Sequence, residues 1–291
     1  MRYYGTVIRP PSEAHSAIFQ VTYGCSHNRC TFCGTYRDKP FQVRPEGEAL
    51  ADIARVGRAM PATRRAFLAD GNALVLSTQR LVAILDALNA AFPHLERVGT
   101  YANARDILHK SADDLALLRR KGLGIVYVGL ESGSDDVLEH VRKGATSSEM
   151  IDAVHKAKAA GMQVSVIAIL GLGGPEGSDG HAEATGRVVS AMDPHYLALL
   201  TLMLVPGTEL YDEWRAGAFQ LMGPEAMLAE LRQVIGYLVG LSACVFRTNH
   251  ASNYLPLGGT LPQDKARLLA TLDAALARGT VGLRPESWRA L

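Results

Sequence analysis

The stretch IFQVTYGCSHNRCTFC, residues 18–33, joins a strand-like apolar segment to a loop that carries three of the chain's four cysteines. IFQVTY (18–23) has the pattern of a strand. Cys25, Cys30 and Cys33 follow within nine positions. Functional residues of parallel α/β proteins collect where the strands end, so this junction predicts the first βα unit of such a fold and a thiol-rich site beside it.

Strand-like and helix-like segments alternate along the rest of the chain. The predicted segments after the cysteine loop are, in order, helix 46–60, strand 64–70, helix 77–92, strand 97–103, helix 111–122, strand 124–132, helix 147–161, strand 162–174, a helix near 179–192, strand 195–206, and helices near 208–216 and 224–239. Six consecutive βα units predict an α/β fold with a parallel sheet wrapped by helices, as a partial barrel or a doubly wound sheet. We favour a partial (β/α)6 TIM-like barrel.

The expected organisation has three parts. We expect an N-terminal extension over 1–16, the barrel over 17–216 and a C-terminal extension over 217–291 that closes it. From about Leu241 the extension predicts a strand, a loop and the helix QDKARLLATLDAALARG, residues 263–279. We find no internal repeat, low-complexity tract or linker.

Composition narrows the class of protein. The chain has 291 residues, 48% hydrophobic and 20% charged, so it can bury a large core. Its net charge of +1 provides no general attraction for nucleic acid or an anionic membrane and argues against a nucleic-acid partner. No apolar stretch is long enough to cross a bilayer, and no signal-peptide pattern opens the chain. We therefore expect a cytoplasmic protein with no membrane partner. The oligomeric state stays open.

The clustered cysteines are compatible with three alternative kinds of metal site. His27 could complete a Cys3His zinc site, although it lies inside the same tight loop. The spacing C-x4-C-x2-C also matches a ferredoxin pattern that needs a distant fourth cysteine. Cys244 is available for it, but its apolar surroundings favour a small buried hydrophobe. The third alternative is a [4Fe–4S] cluster held by three cysteines, with one iron open to substrate.

Unusual residues stand at the predicted end of every strand. They are the cysteine loop after the first strand, residues 70–72 after the second, Asn103 and Arg105 after the third, Glu131 and Ser132 after the fourth, Gly171, Gly173 and Gly174 after the fifth, and residues 205–207 after the sixth. Since these ends meet at one edge of a parallel sheet, they predict one common site.

These motifs resemble the radical S-adenosylmethionine (radical SAM) superfamily. The usual cluster loop of that family reads C-x3-C-x2-C with an aromatic residue before the last cysteine, and Phe32 holds that place here. This chain has one extra residue between its first two cysteines. The order of the later motifs strengthens the resemblance, which spans residues 17 to about 215. The segment 249–259 also looks like the tail of small members.

The resemblance implies which residues bind the cofactors. Cys25, Cys30 and Cys33 are the implied ligands of the [4Fe–4S] cluster. Residues at the ends of five strands are implied contacts of S-adenosylmethionine, though 70–72 lacks the family's usual glutamate. These contacts are Asp70, Gly71, Asn72, Glu131, Ser132, Gly171, Val205 and Pro206. Several of these segments have a plainer explanation as helix caps or turns.

The resemblance also implies the chemistry. The cluster reductively cleaves S-adenosylmethionine to a 5′-deoxyadenosyl radical, which abstracts hydrogen from a substrate. The implied partners are a small-molecule substrate and a reductant such as flavodoxin or ferredoxin. Two alternatives stay open: aminocarboxypropyl-radical or methyl-transfer chemistry, and a non-catalytic electron-transfer protein that uses Cys244 as fourth ligand.

Six further residues are candidates for contact with the substrate or the methionine carboxylate. Each also has a structural interpretation, as a turn, a basic pair at a helix end or a tied-down loop. The candidates are Asn103, Arg105, Arg142 (with Lys143 beside it), Asn249, His250 and Tyr254. The sequence does not identify the substrate.

Overall fold

A computed structural model describes residues 3–290. Its strands are β1 (Ala17–Gln20), β2 (Thr22–Tyr23), β3 (Gln42–Val43), β4 (Arg65–Ala69), β5 (Arg97–Ala102), β6 (Leu123–Glu131), β7 (Gln163–Leu170), β8 (Tyr196–Thr201), β9 (Cys244–Arg247) and β10 (Gly258–Leu261). Its α-helices are α1 (Glu46–Ala59), α2 (Thr78–Ala91), α3 (Ala104–His109), α4 (Ala112–Arg120), α5 (Asp135–His140), α6 (Ser147–Ala159), α7 (Gly174–Met192), α8 (Glu209–Arg215), α9 (Pro224–Tyr237) and α10 (Lys265–Leu276). Short 3-10 helices cover Pro11–Glu13, Ala73–Val75 and Glu286–Trp288.

The main sheet has eight strands in the order β1-β4-β5-β6-β7-β8-β9-β10, and β2 pairs with β3 separately. The chain divides into two compact units. The first contains residues 3–28, 35–128 and 152–164, and the second contains 29–34, 129–151 and 165–290.

In the first unit, β1, β4, β5 and β6 are parallel neighbours. Phe19 pairs in register with Leu68, and Leu68 with Thr100. The side chains of β4 from Ala66 to Ala69 are all buried, as expected of a parallel strand covered on both faces. Helices α1 and α2 pack against each other.

In the second unit, β7, β8 and β9 are parallel neighbours, and β10 closes the edge antiparallel to β9. Helix α9 packs against α7 and α10. The predicted C-terminal extension therefore continues the sheet of the predicted barrel through β9.

Helix starts follow the capping residues in the sequence. Ser77, Ser111, Ser134 and Thr208 each accept a backbone N–H in the first turn of the helix that follows. Gly122, predicted as the stop of its helix, has φ +106° directly after α4.

Three local features differ from the sequence prediction. The strand predicted at 18–23 breaks at Val21, whose N–H donates to Ala69 O while the chain leaves β1 to form β2. Short helices α3 and α5 occupy segments between a predicted strand and the next predicted helix, where no helix is predicted. The helix predicted near 179–192 begins at Gly174, with Pro175 in its first turn. Within residues 3–290, no helix has both the length and the apolarity that crossing a membrane requires.

Candidate active site

The three cysteines of the loop carry thiols that are partly exposed, so a metal centre can reach them. Among residues 3–290, no three or more His, Cys, Asp or Glu side chains are already gathered as ligands of a metal ion. Cys244 differs from the loop cysteines because it is fully buried at the start of β9, in register with Leu261. Its position matches the small buried hydrophobe that its sequence context favours.

Asn72 fastens the start of the cysteine loop. Its Oδ1 accepts the N–H of Ser26 at 2.9 Å, and its Nδ2 donates to Ser26 Oγ at 2.7 Å. The same Nδ2 donates to Asp106 Oδ2 at 2.8 Å. Asn72 is fully buried, and both ends of its amide are engaged within the protein. The structure therefore gives this expected cofactor contact a second role, which is to hold the residue after Cys25.

Gly71 lets the turn after β4 lie against the cysteine loop. A Cβ at this position would stand 2.7 Å from Cys25 Cβ and 2.9 Å from Tyr36 Cε2. The Gly71 N–H donates to Gly24 O at 3.1 Å. A side chain here would displace the loop.

Asp70 is fully buried at the end of β4. Its Oδ2 accepts from Gln20 Nε2 at 2.8 Å, from Lys39 Nζ at 3.0 Å and from the Gly24 N–H at 3.2 Å. The other carboxylate oxygen, Oδ1, is buried and has no hydrogen-bond partner among the described residues. A buried carboxylate oxygen without a donor is costly, and its vacant lone pairs identify a place for a cationic or hydrogen-bond-donating ligand.

Glu131 ends β6 in the left-handed region, with φ +65°. This conformation is uncommon for glutamate and costs about 1–2 kcal/mol. Its Oε1 accepts from Lys143 Nζ at 2.8 Å in a largely buried ion pair. A Cβ on Gly129 would lie 2.2 Å from Glu131 Oε1, so the glycine leaves room for the pair.

Ser132 is fully buried and contacts α7. Its Oγ lies 2.8 Å from His181 Nδ1 and accepts the Ser134 N–H at 3.0 Å. The next residue, Gly133, donates its N–H to Thr185 Oγ1 at 3.0 Å. This turn is therefore fixed by side chains of α7 as well as by the cap of α5.

Gly171 lies at the end of β7 with φ +87°, and a Cβ there would meet Met227 Sδ at 2.7 Å. Its N–H donates to Glu230 Oε1 at 2.6 Å. Burial raises the pKa of Glu230 to about 7 and lowers the pKa of His181 to about 4. His181 is therefore neutral near pH 7.

The segment after Cys30 is tied into the second unit through its backbone. The Thr31 N–H donates to Val141 O, and Thr31 O accepts the Leu210 N–H, both at 3.0 Å. A Cβ on Gly34 would meet Val205 Cγ1 at 2.5 Å, so the residue after Cys33 packs on Val205. Pro206 is exposed, and Val205 O accepts from Thr208 Oγ1 at 2.7 Å.

A model of the radical SAM superfamily matches residues 19–185, which is more than half of the chain. The chain belongs to the radical SAM superfamily. It is 23% identical over 194 residues to the heme chaperone HemW of Bacillus subtilis (strain 168), covering 65% of this chain and 49% of that protein. It is 26% identical over 196 residues to the tRNA-2-methylthio-N(6)-dimethylallyladenosine synthase of Alkalilimnicola ehrlichii, covering 63% and 42%. The chain thus spans about half the length of these curated relatives.

Solved radical SAM structures share the fold. Coproporphyrinogen III oxidase (HemN) from Escherichia coli superposes with a TM-score of 0.59 at 16% identity, over 78% of this chain and 53% of that one. Methylornithine synthase (PylB) superposes with a TM-score of 0.55 at 16% identity, over 77% and 63%. The expected α/β partial TIM-like barrel is confirmed. Radical SAM proteins are enzymes that use a [4Fe–4S] cluster and S-adenosylmethionine, so the expected class and cofactors are confirmed for the superfamily to which this chain belongs.

The substrate candidates after β5 and α5 have local partners. Asn103 forms a capping box with Asp106 at the start of α3, and Arg105 on that helix is exposed. Arg142 is mostly exposed and pairs with Glu209 at 2.7 Å. Lys143, its neighbour, is the partner of Glu131. Contact of these residues with substrate stays a prediction.

The candidates near residue 250 lie in a loop held by the C-terminal segment. Tyr254 is buried, its hydroxyl donates to Glu286 at 2.7 Å, and Arg289 lies over its ring at 4.2 Å. Burial raises the pKa of Tyr254 to about 12. His250 Nδ1 contacts Ser252 Oγ at 2.9 Å, and burial lowers the pKa of His250. Asn249 is exposed.

Sequence reasoning missed four buried residues that hold the candidate turns in place: Gln20 and Lys39 beside Asp70, and His181 and Glu230 behind Ser132 and Gly171. A signal exists for Glu230, because it falls on the same face of α9 as the buried Met227 and Val234. A carboxylate on an apolar helix face indicates a buried partner. Lys39 stands in a polar loop and gives no such signal.

Proposed function

We propose that this protein reductively cleaves S-adenosylmethionine to a 5′-deoxyadenosyl radical, which abstracts hydrogen from a small-molecule substrate. Cys25, Cys30 and Cys33 would hold the [4Fe–4S] cluster. When bound, that cluster supplies the electron for the cleavage. The proposed reductant is a flavodoxin or ferredoxin, and the proposed location is the cytoplasm.

The observation that carries the proposal is the buried Asp70 Oδ1, one residue from the glycine that packs against Cys25. An ammonium group is the ligand that best satisfies a buried carboxylate oxygen. S-adenosylmethionine has such a group, and Asp70 would bind it there. Lys39 and Gln20 already satisfy Oδ2 and keep the carboxylate oriented.

The donor set fits the cluster. Three partly exposed thiols on one loop are soft ligands suited to iron–sulfur centres. Asn28 lies between the first two cysteines with φ +42°, a conformation that asparagine tolerates, and its Nδ2 donates to Tyr36 O at 2.9 Å. We infer that this left-handed residue accommodates the longer C-x4-C spacing.

Further contacts are proposed from the turns that end β6, β7 and β8. Glu131 and Ser132 would face the ribose, while the backbone at Gly171, Val205 and Pro206 would enclose the adenine. The hydrogen bonds from α7 and α9 to the first two turns support this assignment, because a binding turn must be held in place before the ligand arrives.

The test is anaerobic reconstitution of the full chain with iron and sulfide. We expect four irons per chain, as the cluster formula requires, and a change in the electron paramagnetic resonance signal of the reduced protein when S-adenosylmethionine is added. Reduction should yield 5′-deoxyadenosine. Methylthioadenosine would favour the aminocarboxypropyl alternative, and S-adenosylhomocysteine would favour methyl transfer.

Two variants test separately which residues hold the cluster and which residue binds S-adenosylmethionine. Cys244→Ala should keep the cluster, because Cys244 is buried in β9; its loss would favour the electron-transfer alternative. Asp70→Asn should keep the cluster but weaken S-adenosylmethionine binding by about tenfold or more, since it removes the charge opposite the ammonium group. Unchanged affinity in this variant would contradict the role of Asp70.

A further inference from the structure

Helix α9 places a carboxylate directly behind the glycine turn that ends β7. Glu230 is buried, and its Oε1 accepts the Gly171 N–H at 2.6 Å. Its Oε2 accepts from Ser178 Oγ at 2.5 Å. This carboxylate therefore joins α9, the start of α7 and the end of β7.

His181 extends this contact to the turn that ends β6. Its Nε2 lies 3.2 Å from Ile169 O and 3.6 Å from Glu230 Oε1. Both of these groups are acceptors, so we assign the proton to Nε2. Nδ1 then accepts from Ser132 Oγ, and Ser132 Oγ accepts the Ser134 N–H. The hydrogen bonds run from the Ser134 N–H through Ser132 Oγ and the His181 ring to Ile169 O, and Glu230 lies against that ring without a hydrogen bond to it.

Burial alone does not explain a carboxylate at this position. The neighbours of Glu230 on α9 are apolar and buried, including Met227, Leu231 and Val234. The titratable groups facing it from α7 are His181 and Asp179, and Asp179 raises the pKa of Glu230 further. An apolar side chain would pack here without the cost of a buried acid. The presence of Glu230 here is explained by the two hydrogen bonds that its carboxylate accepts, from the Gly171 N–H and from the Ser178 hydroxyl.

We propose that Glu230 is a positioning residue for S-adenosylmethionine, because it holds the Gly171 turn to Ser178 of α7, about one helical turn before the His181 side chain that contacts the Ser132 turn. This inference rests on the proposed function, in which both turns contact the cofactor. Glu230 lies in the predicted C-terminal extension and would act on the cofactor only through the turns that it holds. It would raise affinity by ordering both turns before the ligand binds.

The experiment compares Glu230→Ala and Glu230→Gln by equilibrium dialysis of the reconstituted protein with S-adenosylmethionine. Alanine leaves the Gly171 N–H without its acceptor, so Kd should rise about tenfold. Glutamine keeps an acceptor for that N–H and should stay within about threefold of the wild type. Val234→Ala, one helical turn further along α9, is the matched control and should leave Kd unchanged.

A second readout needs no cofactor. Backbone hydrogen exchange of the cluster-free protein should become faster in peptides spanning 168–174 and 131–136 in Glu230→Ala, but not in Val234→Ala. If Glu230→Ala does not fold, Ser178→Ala replaces it, and we then expect the same two peptides to exchange faster and Kd to rise about threefold.

The outcomes distinguish this inference from the proposed function. Wild-type affinity in the alanine variant, equal losses in alanine and glutamine, or faster exchange at only one of the two turns would overturn the role of Glu230. Failure of the wild type to bind S-adenosylmethionine would overturn the proposed function. Hydrogen exchange would then still decide whether Glu230 couples the two turns.

Discussion

Asn72 links the turn after β4 to the cysteine loop through two hydrogen bonds with Ser26, and its side chain makes a third to Asp106 on α3. Asn72→Ala would leave the Ser26 N–H and the buried Asp106 carboxylate without these partners. We expect the free energy of unfolding to fall by about 2–3 kcal/mol and iron uptake during reconstitution to fall with it. Urea unfolding and iron analysis check this.

The control for Asn72 is Asn89→Ala. The Asn89 side chain also donates two hydrogen bonds, here to the backbone carbonyls of Leu85 and Lys121, but it is exposed on α2. This variant should keep full iron uptake. If the two variants take up equal amounts of iron, Asn72 has no special role in holding the loop.

The raised pKa of Glu230 predicts how the stability of the fold depends on pH. Its pKa is raised from 4.5 to about 7 in the folded protein, so the folded state retains a proton that the unfolded chain loses. The stabilisation from that proton is complete below pH 4.5 and is lost as the pH rises to about 7, a change of about 3 kcal/mol. Glu230→Gln does not titrate. Its stability relative to the wild type should therefore increase by up to about 3 kcal/mol between pH 5 and pH 8.

Comparing Glu230→Gln with the wild type isolates the contribution of Glu230 to the pH dependence. The pKa of His181 is lowered to about 4, which opposes the effect of Glu230 between pH 4 and 6.5, but His181 is present in both proteins. Urea unfolding of cluster-free protein at pH 5 and pH 8 measures the difference. A difference independent of pH would show that Glu230 ionises normally in the fold.

Strands and helices show which parts of the architecture the sequence could predict. The six parallel strands β1 and β4–β8 each overlap a predicted strand, although β1, β7 and β8 end earlier than predicted. Long apolar runs flanked by caps and glycines have few alternative structures. Helices α3 and α5 have six residues each, too short for a periodic pattern. The break at Val21 depends on a bond to Ala69, 48 positions away, which local pattern does not encode.

In the candidate site, too, local sequence predicts some features while contacts between distant residues determine the others. The cysteine loop and the strand-end turns are local motifs, so the sequence located them. The partners of those turns lie far along the chain, as with Gln20 and Asp70 or Gly171 and Glu230. Only the folded sheet brings such pairs together. The sequence therefore predicts which turns form the candidate site, and the structure adds the side chains that hold those turns.

Residues on both sides of the predicted boundary at 216 pack together in the second unit. β9 pairs with β8, and α9 covers α7, so residues 217–290 complete the unit that contains β7 and β8. Helix α9 buries five large apolar side chains there, namely Met227, Leu228, Leu231, Val234 and Ile235. At about 1.5–3 kcal/mol each, their burial contributes roughly 7–15 kcal/mol. That amount is comparable to the whole stability of a typical domain.

A chain that ends at residue 216 should therefore fail to fold, although it retains all the residues of the predicted barrel. We expect it to be insoluble or to lack a cooperative thermal transition by circular dichroism. The matched control ends at residue 283, which removes Arg284 and Arg289 with their bonds to the 250–254 loop but keeps β9, β10 and α10. It should fold with a lowered Tm. A cooperative transition in the 216-residue chain would show that the predicted barrel is an independent domain and that α9 is an addition to it.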